Sequence, residues 1–176
     1  ALLGSGGVRI TADRIMISGG PKILKFVETH PTAELPFAGV RSNVTSKSTA
    51  ASSGGISLNA TSIDIKSLGQ IETTTTSAGN AGHISLQASG DIVLDSGFIR
   101  SASATSSGNA GNIVLASSTG DVRLAPGLLA SQTDNSSGNA GNITLRASQG
   151  HVSVATSSFV TSQANNSSGN AGSITI

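Results

Sequence analysis

"SSGNAGNIVLAS", residues 106–117, places a glycine-rich phrase directly before a short alternating apolar run. The phrase returns as "SAGNAGHISLQAS" at 77–89, as "SSGNAGNITLRAS" at 136–148 and as "SSGNAGSITI" at 167–176. The glycines opening Gly-Asn-Ala-Gly, namely Gly79, Gly108, Gly138 and Gly169, are 29, 30 and 31 residues apart. The first apolar residue after each phrase keeps the same metre, at Ile84, Ile113, Ile143 and Ile174. A degenerate copy, "SSGGISLNA", sets Ile56 28 residues before Ile84, and "GSGGVRITA" gives Val8 the same role. A fixed period of this size is the mark of a repeat architecture, in which one unit cannot bury its apolar edge without a neighbour.

Within each unit the apolar positions have period two. The first run reads Ile84-x-Leu86, Ile113-x-Leu115, Ile143-x-Leu145. After a turn containing Gly comes a second run, "GDIVL", "GDVRL" or "GHVSV", and then a third, read as shorter: "QIETTT", "FIRSAS", "LLASQT", "FVTSQA". Alternation over a few residues, punctuated by Gly, Asp and Asn, predicts strands, and no segment carries a helical period. Three short strands and three corners per unit of about 30 residues predict an all-β chain wound as a parallel β-helix, a β-solenoid of five to six coils. At about 4.8 Å per coil the rod section is on the order of 25–30 Å long. Five inner columns follow: Ile56/Ile84/Ile113/Ile143/Ile174, Leu58/Leu86/Leu115/Leu145/Ile176, Ile63/Ile92/Val122/Val152, Ile65/Leu94/Leu124/Val154 and Ile71/Ile99/Leu129/Val160. Thr73, Ser101, Ser131 and Ser162 are expected to point inward as well.

The 176 residues carry only 11% charged and 2% aromatic side chains, with a formal net charge of +1. There is no basic block and no Trp or Tyr, so nothing marks a nucleic-acid partner. Cysteine is absent, which excludes disulfides and thiolate chemistry. No run approaches the roughly 18 apolar residues of a membrane span. The start, "ALLGSGGVRI", lacks the basic region of a signal peptide, and both ends read as cuts through a longer array, so residues 1–176 are taken as one solenoid segment.

Gly-Asn-Ala-Gly is read as a corner. Its glycines permit positive φ or close backbone approach, and Asn80, Asn109, Asn139 and Asn170, stacked one per coil, form a side-chain ladder. A phosphate loop would need Gly-Lys-Ser/Thr, and a calcium solenoid would need Gly-Gly-x-Gly-x-Asp; the chain has neither. Asp64, Asp91 and Asp121, with His151 next, fall in or near one column and are read as corner caps, with a sugar or cation contact as the alternative. His30, His83 and His151 show no ligand spacing and are read as surface residues; no catalytic group, metal or cofactor is assigned. Phe98, Leu128 and Phe159 align beside the inner third-strand column; corner packing is the first reading, and an outward apolar stripe able to pair rods is the second. Asn135-Ser-Ser and Asn166-Ser-Ser are sequon-like and occupy equivalent positions.

The tandem units, "SSGNAGNI(V/T)L(A/R)AS" followed by "GD(I/V)xL" and "G(F/L)(I/L)xS", resemble the repeats of filamentous-haemagglutinin-like exoproteins, in the "GNAGNI" variety of cyanobacterial surface proteins. The resemblance covers residues 39–176 well. It implies a right-handed parallel β-helix, export to the bacterial cell surface through an outer-membrane partner transporter (two-partner secretion), and a non-enzymatic structural or adhesive role as a fibre or stalk. Expected partners are further copies of the chain, in a filament or bundle, and cell-surface or glycan targets. The alternative is a glycan-binding adhesin or a polysaccharide-acting β-helix domain. The family's amino-terminal secretion domain is not visible here, and fold similarity does not fix function.

One stretch does not repeat. Residues 20–38, "GPKILKFVETHPTAELPFA", lengthen the first coil and hold three of the four prolines. They are read as an insertion: a surface loop, a contact segment through Lys22, Lys25, Phe26, His30 and Phe37, or a cover for the solenoid.

Overall fold

The computed structural model describes residues 6–19, 38–45, 50–104 and 107–176. The contact segment expected at Lys22, Lys25, Phe26, His30 and Phe37 lies outside the described residues. Every described element is a strand, and every pairing between strands is parallel. The chain is a parallel β-solenoid.

The first face stacks β1 (Val8–Ser18), β3 (Ile56–Lys66), β5 (Ile84–Ala88), β8 (Ile113–Ser117), β11 (Ile143–Ala147) and the two-residue β14 (Ile174–Thr175). The second stacks the later halves of β1 and β3 with β6 (Ile92–Asp95), β9 (Val122–Leu124) and β12 (Val152–Val154). The third is a five-stranded sheet of β2 (Gly39–Val44), β4 (Gln70–Thr75), β7 (Gly97–Ala104), β10 (Gly127–Asp134) and β13 (Phe159–Asn165). In β1 and β3 the first two faces are one continuous 11-residue strand. Later coils break there at Gly90, Gly120 and Gly150, where the early coils have Asp13-Arg14 and Thr61-Ser62 instead.

Register follows the repeat. Ile56 pairs with Ile84, Ile84 with Ile113, Ile113 with Ile143 and Ile143 with Ile174; the Leu58 column pairs in the same way as far as Leu145, and the other three pair as far as Val152, Val154 and Val160. The first coil joins them: Val8, Ile10, Ile15 and Ile17 sit on Ile56, Leu58, Ile63 and Ile65, and Val40 sits on Ile71. In the middle coils these side chains are fully buried and form one core cluster. Each such Ile or Leu contributes about 1.5–3 kcal/mol by leaving water.

The third strands are longer than their apolar pattern suggests: β7 and β10 have eight residues each. The inward row continues past Ile99 and Leu129 into Ser101, Ser103, Ser131 and Thr133, all fully buried. Thr73, Ser101 and Ser131 point inward as expected, and Thr75, Ser103 and Thr133 carry the row one inward position further.

Candidate functional site

Where the chain leaves the third face and returns to the first, Gly-Asn-Ala-Gly forms a corner whose parts are set by the coil beneath. A Cβ on Gly108 would lie 1.8 Å from the carbonyl oxygen of Gly79, and one on Gly138 2.0 Å from that of Gly108. The second glycine column is as close, with Gly111 over Gly82 at 2.1 Å and Gly141 over Gly111 at 2.3 Å. None of these glycines occupies the left-handed region. Of the two roles open to them, the structure uses close stacking of backbone on backbone.

The asparagine column is bonded along the axis. The backbone N–H of Asn109 donates to Asn80 Oδ1 at 2.9 Å; Asn139 N–H donates to Asn109 Oδ1, and Asn170 N–H to Asn139 Oδ1, both at 2.7 Å. Below them Asn80 N–H donates to Ser52 Oγ at 3.0 Å. The ladder therefore runs from main chain to side chain, not from amide to amide. A second ladder, which the sequence reading missed, stands three residues on. Asn112 N–H donates to His83 Nδ1, and Asn142 and Ser173 N–H donate to Asn112 and Asn142 Oδ1, each at 2.8 Å. Its signal was available, since His, Asn, Asn and Ser precede the first strand in successive copies. His83, read as a plain surface residue, is part of this corner.

A third arrangement closes the core. Ser101 Oγ donates to Gly82 O at 3.0 Å and accepts from Gly111 N–H at 2.8 Å. Ser131 does the same between Gly111 O at 2.9 Å and Gly141 N–H at 2.8 Å, and Ser162 between Gly141 O at 2.8 Å and Gly172 N–H at 2.7 Å. Thr73, which pairs with Ser101, bonds differently: it donates forward to Gly82 O at 2.6 Å, and the Gly82 N–H donates to Ser53 Oγ at 2.8 Å. Each of the three serine hydroxyls bridges one coil's N–H to the carbonyl of the coil below. Buried backbone polar groups need such partners.

The acidic column resolves into a ladder with ion pairs. Asp121 N–H donates to Asp91 Oδ1 at 2.8 Å, and His151 N–H donates to Asp121 Oδ1 at 2.9 Å. Arg123 reaches Asp121 at 2.6 Å and Asp91 at 3.9 Å. The Arg123 hydrogen bond, and after it the His151 N–H, holds the Asp121 carboxyl below the ordinary carboxylate range. Asp64 stands two residues off this column, opposite Val93, and pairs with Arg14 at 2.6 Å. No group of three or more His, Cys, Asp or Glu fit to hold a metal occurs among the described residues.

Phe98, Leu128 and Phe159 correct the first reading given to them. They stack on one another in register, as expected, but alternate with the inner Ile99, Leu129 and Val160 and so face outward. Phe98 and Leu128 are half-buried and Phe159 is 63% exposed. With Leu68 and Pro126 they wall an apolar groove of about 300 Å³ over Gly97 and Gly127. Those glycines sit close over the core: a Cβ on Gly97 would lie 2.7 Å from the Ile65 side chain and from the Ile65 carbonyl oxygen, and one on Gly127 3.1 Å from the Leu94 side chain.

The fold and its corners define a repeat protein of the parallel β-solenoid class. Set against family models, curated proteins and solved structures, the chain matches none. Among the described residues no helix is long and apolar enough to cross a membrane.

Proposed function

We propose that this chain is a rod-forming structural segment of an extracellular surface protein, a stalk or fibre section that acts mechanically and without catalysis. The observation that carries the reading is that side chains with hydrogen-bonding capacity are spent on the next coil. The Asn, Asp and Ser columns bond along the axis from one repeat to another. Stacking of this kind favours length and stiffness, because each coil contacts only its neighbours and stability grows with their number. The resemblance of the "GNAGNI" units to filamentous-haemagglutinin-like repeats supports placement at a bacterial surface after two-partner secretion. The test is accessibility on intact producing cells. A membrane-impermeant protease and an antibody to the repeats should both reach the protein while a cytoplasmic marker stays protected. Protection of the repeats until the cells are lysed would overturn the placement.

A further inference from the structure

We propose that His83 is a pH-sensitive joint in the second axial ladder: its neutral imidazole closes the rung between the coils of β5 and β8, and protonation opens it. The inference goes beyond the stalk reading and stands without it.

What matters is the acceptor atom. Along this column Asn142 and Ser173 donate their N–H groups to amide oxygens, Asn112 Oδ1 and Asn142 Oδ1. An amide oxygen keeps its lone pairs across the working pH range. One coil down, the N–H of Asn112 donates to His83 Nδ1 at 2.8 Å. A ring nitrogen that accepts from an N–H carries no proton, so the neutral ring holds its proton on Nε2. Protonation fills the Nδ1 lone pair and sets N–H against N–H. Histidine changes charge between about pH 5 and pH 8. Among the described rungs of the two asparagine ladders, this one alone has an acceptor that titrates there.

The surroundings give an imidazolium nothing in return. Arg9 of β1 is the charged residue lining the groove beside His83, and it is a cation. β3, β5 and β8 turn Ser57, Ser85 and Val114 to the same side, and none of the three titrates there. Behind the corner, β4 and β7 present the hydroxyls of Thr73 and Ser101 to Gly82. His151 is the contrast: its Nδ1 stands 3.8 Å from Asp121, so a proton there completes an ion pair.

The ring also has room to leave. His83 is exposed, and Gly55 and Gly7 fill its column beneath, so no side chain packs under the imidazole. Once protonated, the ring swings into water and the Asn112 N–H turns to solvent. The first ladder spans the same two coils through Asn80 Oδ1, which acid leaves in place. Acid therefore loosens one of two ladders at this junction and does not part the coils.

NMR on the unmodified chain reads the joint directly. The ring nitrogen shifts near neutral pH should show His83 as the Nε2–H tautomer. The exchange protection factor of the Asn112 amide, divided by that of the Asn142 amide, should fall about threefold or more from about pH 8 to about pH 5. His83→Asn copies the residue that fills this column at Asn112 and Asn142, and should hold the ratio constant. His83→Ala should give, at both pH values, the low ratio that the unmodified chain reaches only in acid. An Nδ1–H tautomer near neutral pH, a ratio indifferent to pH, or the same fall in His83→Asn would each overturn the joint. So would a His83→Ala ratio as high as that of the unmodified chain near neutral pH.

Discussion

At the scale of single residues, the glycines of Gly-Asn-Ala-Gly are held by the coil below rather than by their own dihedral angles. Gly138→Ala should destabilise by about 1–3 kcal/mol or more, as other overpacked sites do. Gly6→Ala, where an added Cβ meets nothing within 4 Å, should stay within about 0.5 kcal/mol. Chemical denaturation of the two variants side by side checks this. Ser131→Ala leaves Gly141 N–H and Gly111 O buried without their bridge. That should cost about 1–3 kcal/mol, and Ser131→Thr should recover most of it, because the hydroxyl is kept and the buried Thr73 shows that this inward position admits the extra methyl. The sequence showed where these residues recur but not what each does. A clash distance or a bridging hydroxyl belongs to two coils at once, and no single repeat contains both partners. Asn135 and Asn166 make the same point. Their sequon-like setting drew notice, yet both sit in the left-handed region at φ 48° and 45°, where asparagine serves a tight turn.

At the scale of elements, the apolar columns were legible because alternation and period each fixed one coordinate: which side a residue faces, and which residue it stacks on. The merged strand of β3 was not, because Ala60-Thr61-Ser62 lacks the glycine that breaks later coils and β-branched Thr61 suits extended backbone. The full length of β7 and β10 was not legible because their last inward positions, Ser103 and Thr133, lie beyond the hydroxyls the pattern placed inside, and the outward stripe was misread as corner filling because three apolar residues beside a core column look like more core. Leu115→Ala, in the middle of β8, should cost about 2–5 kcal/mol. Its loss of amide-exchange protection should concentrate in β5, β8 and β11, the neighbours it stacks between. At the corner before β9, the depressed Asp121 pKa means that this carboxylate supports the fold above the carboxylate pKa of the unfolded chain. The support fades as pH falls through the lower folded value. A carboxyl titration by NMR should place the Asp121 midpoint below that of a typical aspartate, and Arg123→Gln should move it upward. A midpoint that Arg123→Gln leaves in place would contradict the assignment of cause.

At the scale of the whole molecule, the stacked columns, the axial ladders and the outward stripe share one direction, the axis along which repeats accumulate. Function in this reading is a matter of length: how far the rod reaches. The most direct measurement is to lengthen it. Residues 108–137 make up one 30-residue period from Gly108 to the residue before Gly138, so the segment can be duplicated in tandem without disturbing register. Four added copies, compared with the original chain by small-angle scattering, should extend the particle by about 19 Å at about 4.8 Å per coil, with an unchanged cross-section. Growth in cross-section, or extra chain that adds no axial length, would contradict the account at its centre.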